Sequence, residues 1–180
     1  MTYYTYTEGP LGRMLFTADA QALTGVYFIG QKYEAKPRPD WVEEDHIPVF
    51  TALRGQLARY FKGKLSTFDL PLAPRGTPFQ QRVWEALLQI ECGATMTYGK
   101  LADSIGYSSS VRAVGAAVGR NPITLIIPCH RVIGADGSLT GYAGGLERKR
   151  ALLLIEKTHS NQGDTKSTED TEQFKLEFAR

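Results

Sequence analysis

The 180-residue sequence predicts an α+β fold in two parts, a sheet with one covering helix followed by a mainly helical half. Three observations predict it. Over the first thirty residues tyrosine, leucine and phenylalanine alternate with small or polar residues, interrupted at Gly9-Pro10 and at Gly25, as short antiparallel strands require. From Pro48 to Phe61 the apolar positions Val49, Phe50, Leu53, Leu57, Tyr60 and Phe61 fall at helical spacing and stop at Gly63. Beyond residue 75 this gives way to short helical patterns with their own start and stop signals.

In order along the chain, the strands of the first thirty residues lead into a turn-rich stretch, Lys36 to Asp40, and then into the helix that covers the sheet. LPLAPRGTP, Leu70 to Pro78, concentrates proline and glycine and reads as a linker, so the boundary falls near residue 75, between units 1–75 and 76–157. Thr77-Pro78-Phe79-Gln80 is a helix start, with threonine as N-cap, proline first and glutamine third. Phe79, Val83, Leu87 and Ile90 line one face of that helix. In TYGKLADSIG, Leu101, Ala102 and Ile105 make a short amphipathic helix closed by Gly106. Serines 108 to 110 stand where a cap is wanted for a second helix, VRAVGAAVGRN. That helix is rich in alanine and glycine, which suits a backbone pressed closely against something, and the pair reads as a helix-turn-helix. The segment 158–180 is polar and poor in large aliphatics, so it is expected to be disordered.

Composition narrows the function classes. Only two cysteines occur, Cys92 and Cys129, too few for a disulfide framework and without the spacing of a zinc site. No metal and no cofactor is expected, and a reduced, cytoplasmic setting fits. MTYYTYTEG lacks the basic and apolar segments of a signal peptide, and no apolar run is long enough to span a bilayer, so no membrane partner is expected. Net charge is +2, which neither requires nor excludes nucleic acid.

The chemistry concentrates in IIPCHRVIG, Ile126 to Gly134. Cys129 could be a nucleophile, a metal ligand or an inert buried thiol. A free thiol is only slightly ionised at neutral pH, so a nucleophilic role needs a base or a positive charge beside it. His130 is adjacent, but neighbouring side chains point apart, and a bridging water is the simplest way to couple them. The imidazole then needs a third group on its far nitrogen. Glu156 can supply it, because it follows Leu152 and Leu153 at helical spacing and so lies over the apolar face of the helix Leu146 to Glu156.

The run Pro122 to Glu156, with PCHRV followed by the Tyr142-Ala143-Gly144-Gly145 turn, resembles the O6-alkylguanine-DNA alkyltransferases. The likeness extends through GTPFQQRVWEAL, TYGKLA and RAVGAAVGRNP, so it covers about residues 76 to 156. It implies an α+β fold comprising an N-terminal α/β roll and a helical, winged-helix-like C-terminal domain with a DNA-binding helix-turn-helix. It also implies that Cys129 takes the alkyl group from guanine O6 and keeps it as a thioether, in a single turnover. Glu156, His130 and a water form the implied relay, and Asn121 braces the turn between recognition helix and active-site segment. Because the reacting atom is hidden in the base stack, the nucleotide must be flipped out. Arg112 matches the residue that replaces it in the stack, with Ala113 and Gly115 letting the helix into the minor groove. Tyr98 matches the tyrosine that crowds the 3′ phosphate and bonds guanine N3. Val132 and Cys129 offer carbonyls to the exocyclic amine, while Tyr142 and Ala143 wall the pocket. Ala143 and Thr124 stand where some members have serine and proline. The expected partner is double-stranded DNA carrying O6-alkylguanine, with further copies of the chain on the same duplex as a second partner.

Three rivals explain less. A non-catalytic module that binds alkylated DNA lacks the reactive cysteine. A Cys-His-Glu thiol hydrolase needs no helix-turn-helix. A helix-turn-helix regulator leaves Cys129, His130 and Glu156 without a purpose.

Overall fold

A computed structural model describes residues 1–160. β1 (Tyr3–Thr7), β2 (Met14–Ala18) and β3 (Leu23–Phe28) form an antiparallel meander, as the alternation predicts. A short strand, β4 (Val42–Glu43), pairs in parallel with β1, giving the order β3-β2-β1-β4. Both β4 residues are exposed, so no apolar alternation marks it in the sequence. Gly25 does not break a strand as expected. It lies inside β3, where a Cβ would come within 2.3 Å of the Tyr27 ring and 2.5 Å of Thr17 Oγ1 on the neighbouring strand. The missing side chain makes room for a ring laid across the sheet.

α1 (Pro48–Phe61) buries Val49, Phe50, Leu53, Leu57 and Tyr60, and the rings of Phe50 and Phe16 of β2 stand 6.1 Å apart. Burying a side chain such as Phe50 contributes about 1.5–3 kcal/mol each, which fastens the helix to the sheet.

The proline-rich segment is more than a linker. Leu23 N–H donates to Pro71 O and Ala73 N–H to Leu23 O, so the chain runs along the outer edge of β3. Further along the same edge Val26 N–H donates to Pro122 O and Thr124 N–H to Val26 O. Satisfying an otherwise open strand edge in this way joins the N-terminal sheet to the segment that leads into Cys129.

α2 (Pro78–Leu87) begins with the expected capping box between Thr77 and Gln80. Trp84 is buried on it, and its Nε1 donates to Ala117 O at 2.9 Å, pinning α2 to α4 (Val111–Gly119). α3 (Tyr98–Ser104) follows β5 (Met96–Thr97) and is capped by the Thr97 side chain. Serines 108 to 110 do not cap α4 through their side chains. They form one turn of 3₁₀ helix ahead of it. A second 3₁₀ turn, Cys129–Arg131, leads into β6 (Val132–Ile133), which pairs with β5, and α5 (Leu146–Ser160) closes the fold. One apolar cluster takes Phe16, Phe28 and Phe50 together with Trp84, Leu101 and Leu152, so both halves share a core.

α5 continues to Ser160, three residues into the segment expected to be disordered from 158. His159 explains the extension: its Nε2 lies 3.1 Å from Tyr60 O and its ring stands edge-on to the Tyr60 ring. The remainder of that expectation, 161–180, lies outside the described residues. Among the described residues no helix is long and apolar enough to cross a membrane.

Candidate active site

A tight turn delivers Cys129. Ile127 N–H donates to Ile123 O and Cys129 N–H to Ile127 O, and between them Leu125 adopts a positive φ of 78°. A leucine in the left-handed region is strained, and such strain collects at functional sites. Asn121 spans the turn. Its Nδ2 donates to Ile127 O at 2.8 Å and to Cys129 Sγ at 3.2 Å, while its Oδ1 accepts from Ile123 N–H at 3.0 Å. α4 ends with Arg120 as C-cap, and Asn121 is buried one residue beyond it.

Cys129 is buried, and burial pushes its thiol up to about 11 despite the Asn121 bond and the Lys149 charge. An unaided Cys129 is therefore a neutral thiol at physiological pH. His130 is also buried, and its Nε2 meets Glu156 Oε1 at 2.7 Å. The ionised carboxylate can only accept, so Nε2 carries the proton. Nδ1 is then the basic nitrogen, and it is buried with no protein partner among the described residues. Burial lowers the histidine against the opposing pull of Glu156, which keeps the imidazole neutral and able to take a proton.

Glu156 is the hub. It also accepts from Tyr60 Oη (2.8 Å), Gly93 N–H (3.2 Å), Arg131 Nε (2.8 Å) and Arg131 Nη2 (2.9 Å). Burial alone would raise this carboxyl, but the bonds from His130 and Arg131 overcome it and hold the group well below the usual carboxylate range. Arg131 also donates through Nη1 to Ile90 O, so the charge is fixed from α2's end as well as from α5.

Lys149 was not anticipated. It is fully buried, and its Nζ donates to Val132 O (2.5 Å), Thr140 O (2.8 Å) and Gly141 O (3.4 Å), tying α5 to β6 and to the loop 140–145. Burial lowers it to about 8. Within ERKR it reads as one of a solvated run, yet Leu152 and Glu156 follow it on the same helical face, and that spacing was the available signal. Arg131 and Tyr60 left no comparable trace, because their partners are set by tertiary contact.

Tyr98 joins α3 to the loop 140–145 that carries Tyr142 and Ala143. Tyr98 Oη lies 3.1 Å from both Thr140 O and Gly141 O, and its ring is 6.0 Å from Lys149 Nζ. Gly115 of α4 faces that ring, where a Cβ would sit at 3.7 Å, so it is turned toward α3 and not to the open surface. Arg112 and Ala113 are exposed on α4. Tyr142 is half-buried, its buried hydroxyl has no partner among the described residues, and Ala143 O accepts from Lys32 N–H at 3.0 Å. The Val132 carbonyl already takes the lysine, and the Cys129 carbonyl takes Val132 N–H; each oxygen keeps a second lone pair for a ligand. Among the described residues no three His, Cys, Asp or Glu side chains are grouped to hold a metal ion.

A buried cysteine beside a histidine whose far nitrogen is held by a buried glutamate can perform nucleophilic transfer. Two family models match the chain: 6-O-methylguanine DNA methyltransferase, ribonuclease-like domain, over residues 2–74, and 6-O-methylguanine DNA methyltransferase, DNA binding domain, over residues 78–158. The chain belongs to the 6-O-methylguanine DNA methyltransferase family. A methylated-DNA--protein-cysteine methyltransferase of Haemophilus influenzae is 49% identical over 156 residues, 86% of each chain. One of the same name from Methanosarcina mazei is 47% identical over 87% of this chain and 98% of its own. Among solved structures, Mycobacterium tuberculosis OGT in complex with DNA superposes with a TM-score of 0.80 at 46% identity, covering 87% of this chain and 94% of that one. The α+β architecture described above is that of this family.

Proposed function

We propose that this member of the 6-O-methylguanine DNA methyltransferase family repairs DNA by moving the alkyl group from guanine O6 onto its own Cys129. The observation that carries the assignment of roles is the polarity of His130: Nε2 is committed to Glu156, leaving Nδ1 as a buried base with no partner among the described residues, next in the chain to a neutral thiol. A water bridging Nδ1 and Sγ takes the thiol proton and passes one to Nδ1, and Glu156 stabilises the imidazolium. The thiolate attacks the alkyl carbon, the carbon–sulfur bond forms, the carbon–O6 bond breaks, and its electron pair leaves with the guanine. Tyr98 Oη, whose one proton goes to the carbonyls of Thr140 and Gly141 in the free protein, turns it to guanine N3 in the proposed complex, and the carbonyls of Cys129 and Val132 select the exocyclic amine. The thioether is not hydrolysed, so each molecule acts once.

The duplex is bound from the minor groove by the helix-turn-helix we assign to α3 and α4. Arg112 fills the stack in place of the flipped nucleotide, and exposed Ala113 lets α4 approach the groove floor. Tyr142 and Ala143 wall the pocket. We place the division between sheet-bearing and DNA-reading units near residue 75, a reading that the limits of the two family models support. Both described cysteines are free, which suits the cytoplasm. Incubation with a duplex carrying one O6-methylguanine, followed by intact-mass analysis of wild type and Cys129→Ala, tests the proposal. A gain confined to wild type supports it, and an equal gain by the variant refutes it.

A further inference from the structure

One surface residue is held in a conformation its side chain disfavours. Tyr33 adopts a φ of 63° yet is 47% exposed, so no core contact demands it. Its ring is flanked by two cations, Lys32 Nζ at 4.9 Å and Arg120 Cζ at 4.5 Å, each close enough for a cation–π contact. Among the described residues neither cation is in an ion pair; Glu34, the nearest acid in sequence, is paired with Lys36 and accepts from Gly30 N–H. The strain thus gathers two like charges around an exposed ring, an arrangement that an anion completes.

Its place in the fold says which anion. Lys32 N–H donates to Ala143 O, so the cluster adjoins the loop that walls the pocket. Arg120 caps α4. At about 100° per residue, the exposed positions Arg112, Ala113, Ala116 and Arg120 fall within one arc of about 100°, and the buried Val114, Ala117 and Val118 lie outside it. Arg120 therefore shares the face of α4 that carries Arg112, about 12 Å further along at 1.5 Å per residue. That span equals three or four base-pair steps at about 3.4 Å each.

We propose that Lys32, Tyr33 and Arg120 form a second DNA contact, a phosphate seat that extends the duplex-binding face from α4 onto the N-terminal unit beside the pocket. The ring holds the two cations at a fixed separation, and the phosphodiester backbone three or four steps from the flipped nucleotide bridges them. The inference rests on the DNA-directed reading of α4 given above.

The test is the salt dependence of binding to an undamaged duplex, measured on the full chain for wild type, Lys32→Ala/Arg120→Ala and Tyr33→Gly. Each lost phosphate contact lowers the slope of log affinity against log salt by about 0.9, so the double variant is expected to be shallower by about 1.8. Tyr33→Gly removes the left-handed strain, so it is expected to weaken binding without lowering the melting midpoint. An unaltered slope in the double variant, or a Tyr33→Gly protein that melts earlier but binds as tightly as wild type, overturns the inference. Absence of salt-dependent duplex binding by wild type itself would instead sink the reading of α4 on which the inference stands.

Discussion

Asn121 Nδ2 donates to Cys129 Sγ across 3.2 Å, so the residue that spans the turn also touches the proposed nucleophile. The same amide serves Ile127 O and Ile123 N–H. Asn121→Ala leaves the buried Ile123 N–H unsatisfied and removes the bond to Cys129 Sγ, whereas Ile127 O keeps the Cys129 N–H, and an unsatisfied buried group costs about 1–3 kcal/mol. Denaturant unfolding is expected to show a loss of about 1–3 kcal/mol on that scale. Asn121→Ser is expected to fall between alanine and wild type, and equal stability of Asn121→Ala and wild type contradicts the brace.

Glu156 positions and polarises His130, so Glu156→Gln changes the tautomer while nearly preserving shape. By analogy with amide replacements in catalytic triads, the rate of alkyl transfer is expected to fall by about three orders of magnitude or more. Arg131→Met acts differently: it leaves a buried carboxylate short of its main cation, and breaking such a pair costs about 3–5 kcal/mol. Single-turnover rates and unfolding free energies measured on both variants separate the two roles. A Glu156→Gln protein that reacts at the wild-type rate contradicts the relay.

Two buried groups give stability opposite pH slopes. Burial raises Cys129 from 9.0 to about 11, so the native state holds its proton where the unfolded chain has lost it. Its stabilising contribution is complete below about 9 and is lost as pH rises toward 11. Lys149 is lowered from 10.5 to about 8, so the native state binds fewer protons and stability rises with pH across that interval. Relative to wild type, Cys129→Ser is expected to gain stability as pH rises from 9 to 11, and Lys149→Met to lose it as pH rises from 8 to 10.5. Unfolding curves recorded across both intervals check the signs, and parallel pH profiles for all three proteins would contradict the assignment.

Arg112 is exposed on α4, and its proposed work concerns the duplex, not the sulfur. Arg112→Ala is therefore expected to slow repair of an O6-methylguanine duplex by about tenfold or more, the range expected from a few kcal/mol of unstacking. Reaction with free O6-benzylguanine base serves as the comparison. Equal slowing on both substrates contradicts a role in base flipping.

Much of this was legible in the sequence, and what was not has identifiable causes. The helix Pro48–Phe61 and the capping box at Thr77 are local patterns, and both stand where the spacing put them. Glu156 was legible because an acid over an apolar helical face requires a partner. The partners themselves were not: Tyr60, Gly93 and Arg131 reach it from separate segments, and nothing periodic marks a hydrogen bond across the fold. Lys149 was hidden by its charged neighbours, although its burial follows from the same spacing as that of Glu156. The pairing of residues 71–73 along β3 escaped because proline and glycine signal irregular backbone, and the open strand edge that captures it is a tertiary fact. Gly25 misled for a related reason, since a glycine in a strand can make space for a neighbour's ring as readily as it can end the strand.

The central claim is that Cys129 itself accepts the alkyl group, once, through the His130–Glu156 relay. Intact-mass and peptide analysis after incubation with excess O6-methylguanine duplex tests it most directly. Each molecule is expected to gain the mass of one CH2, located on the peptide containing Cys129, and repair is expected to stop when every molecule is modified. Repair continuing beyond one lesion per molecule, or the added mass residing on Cys92, would contradict it.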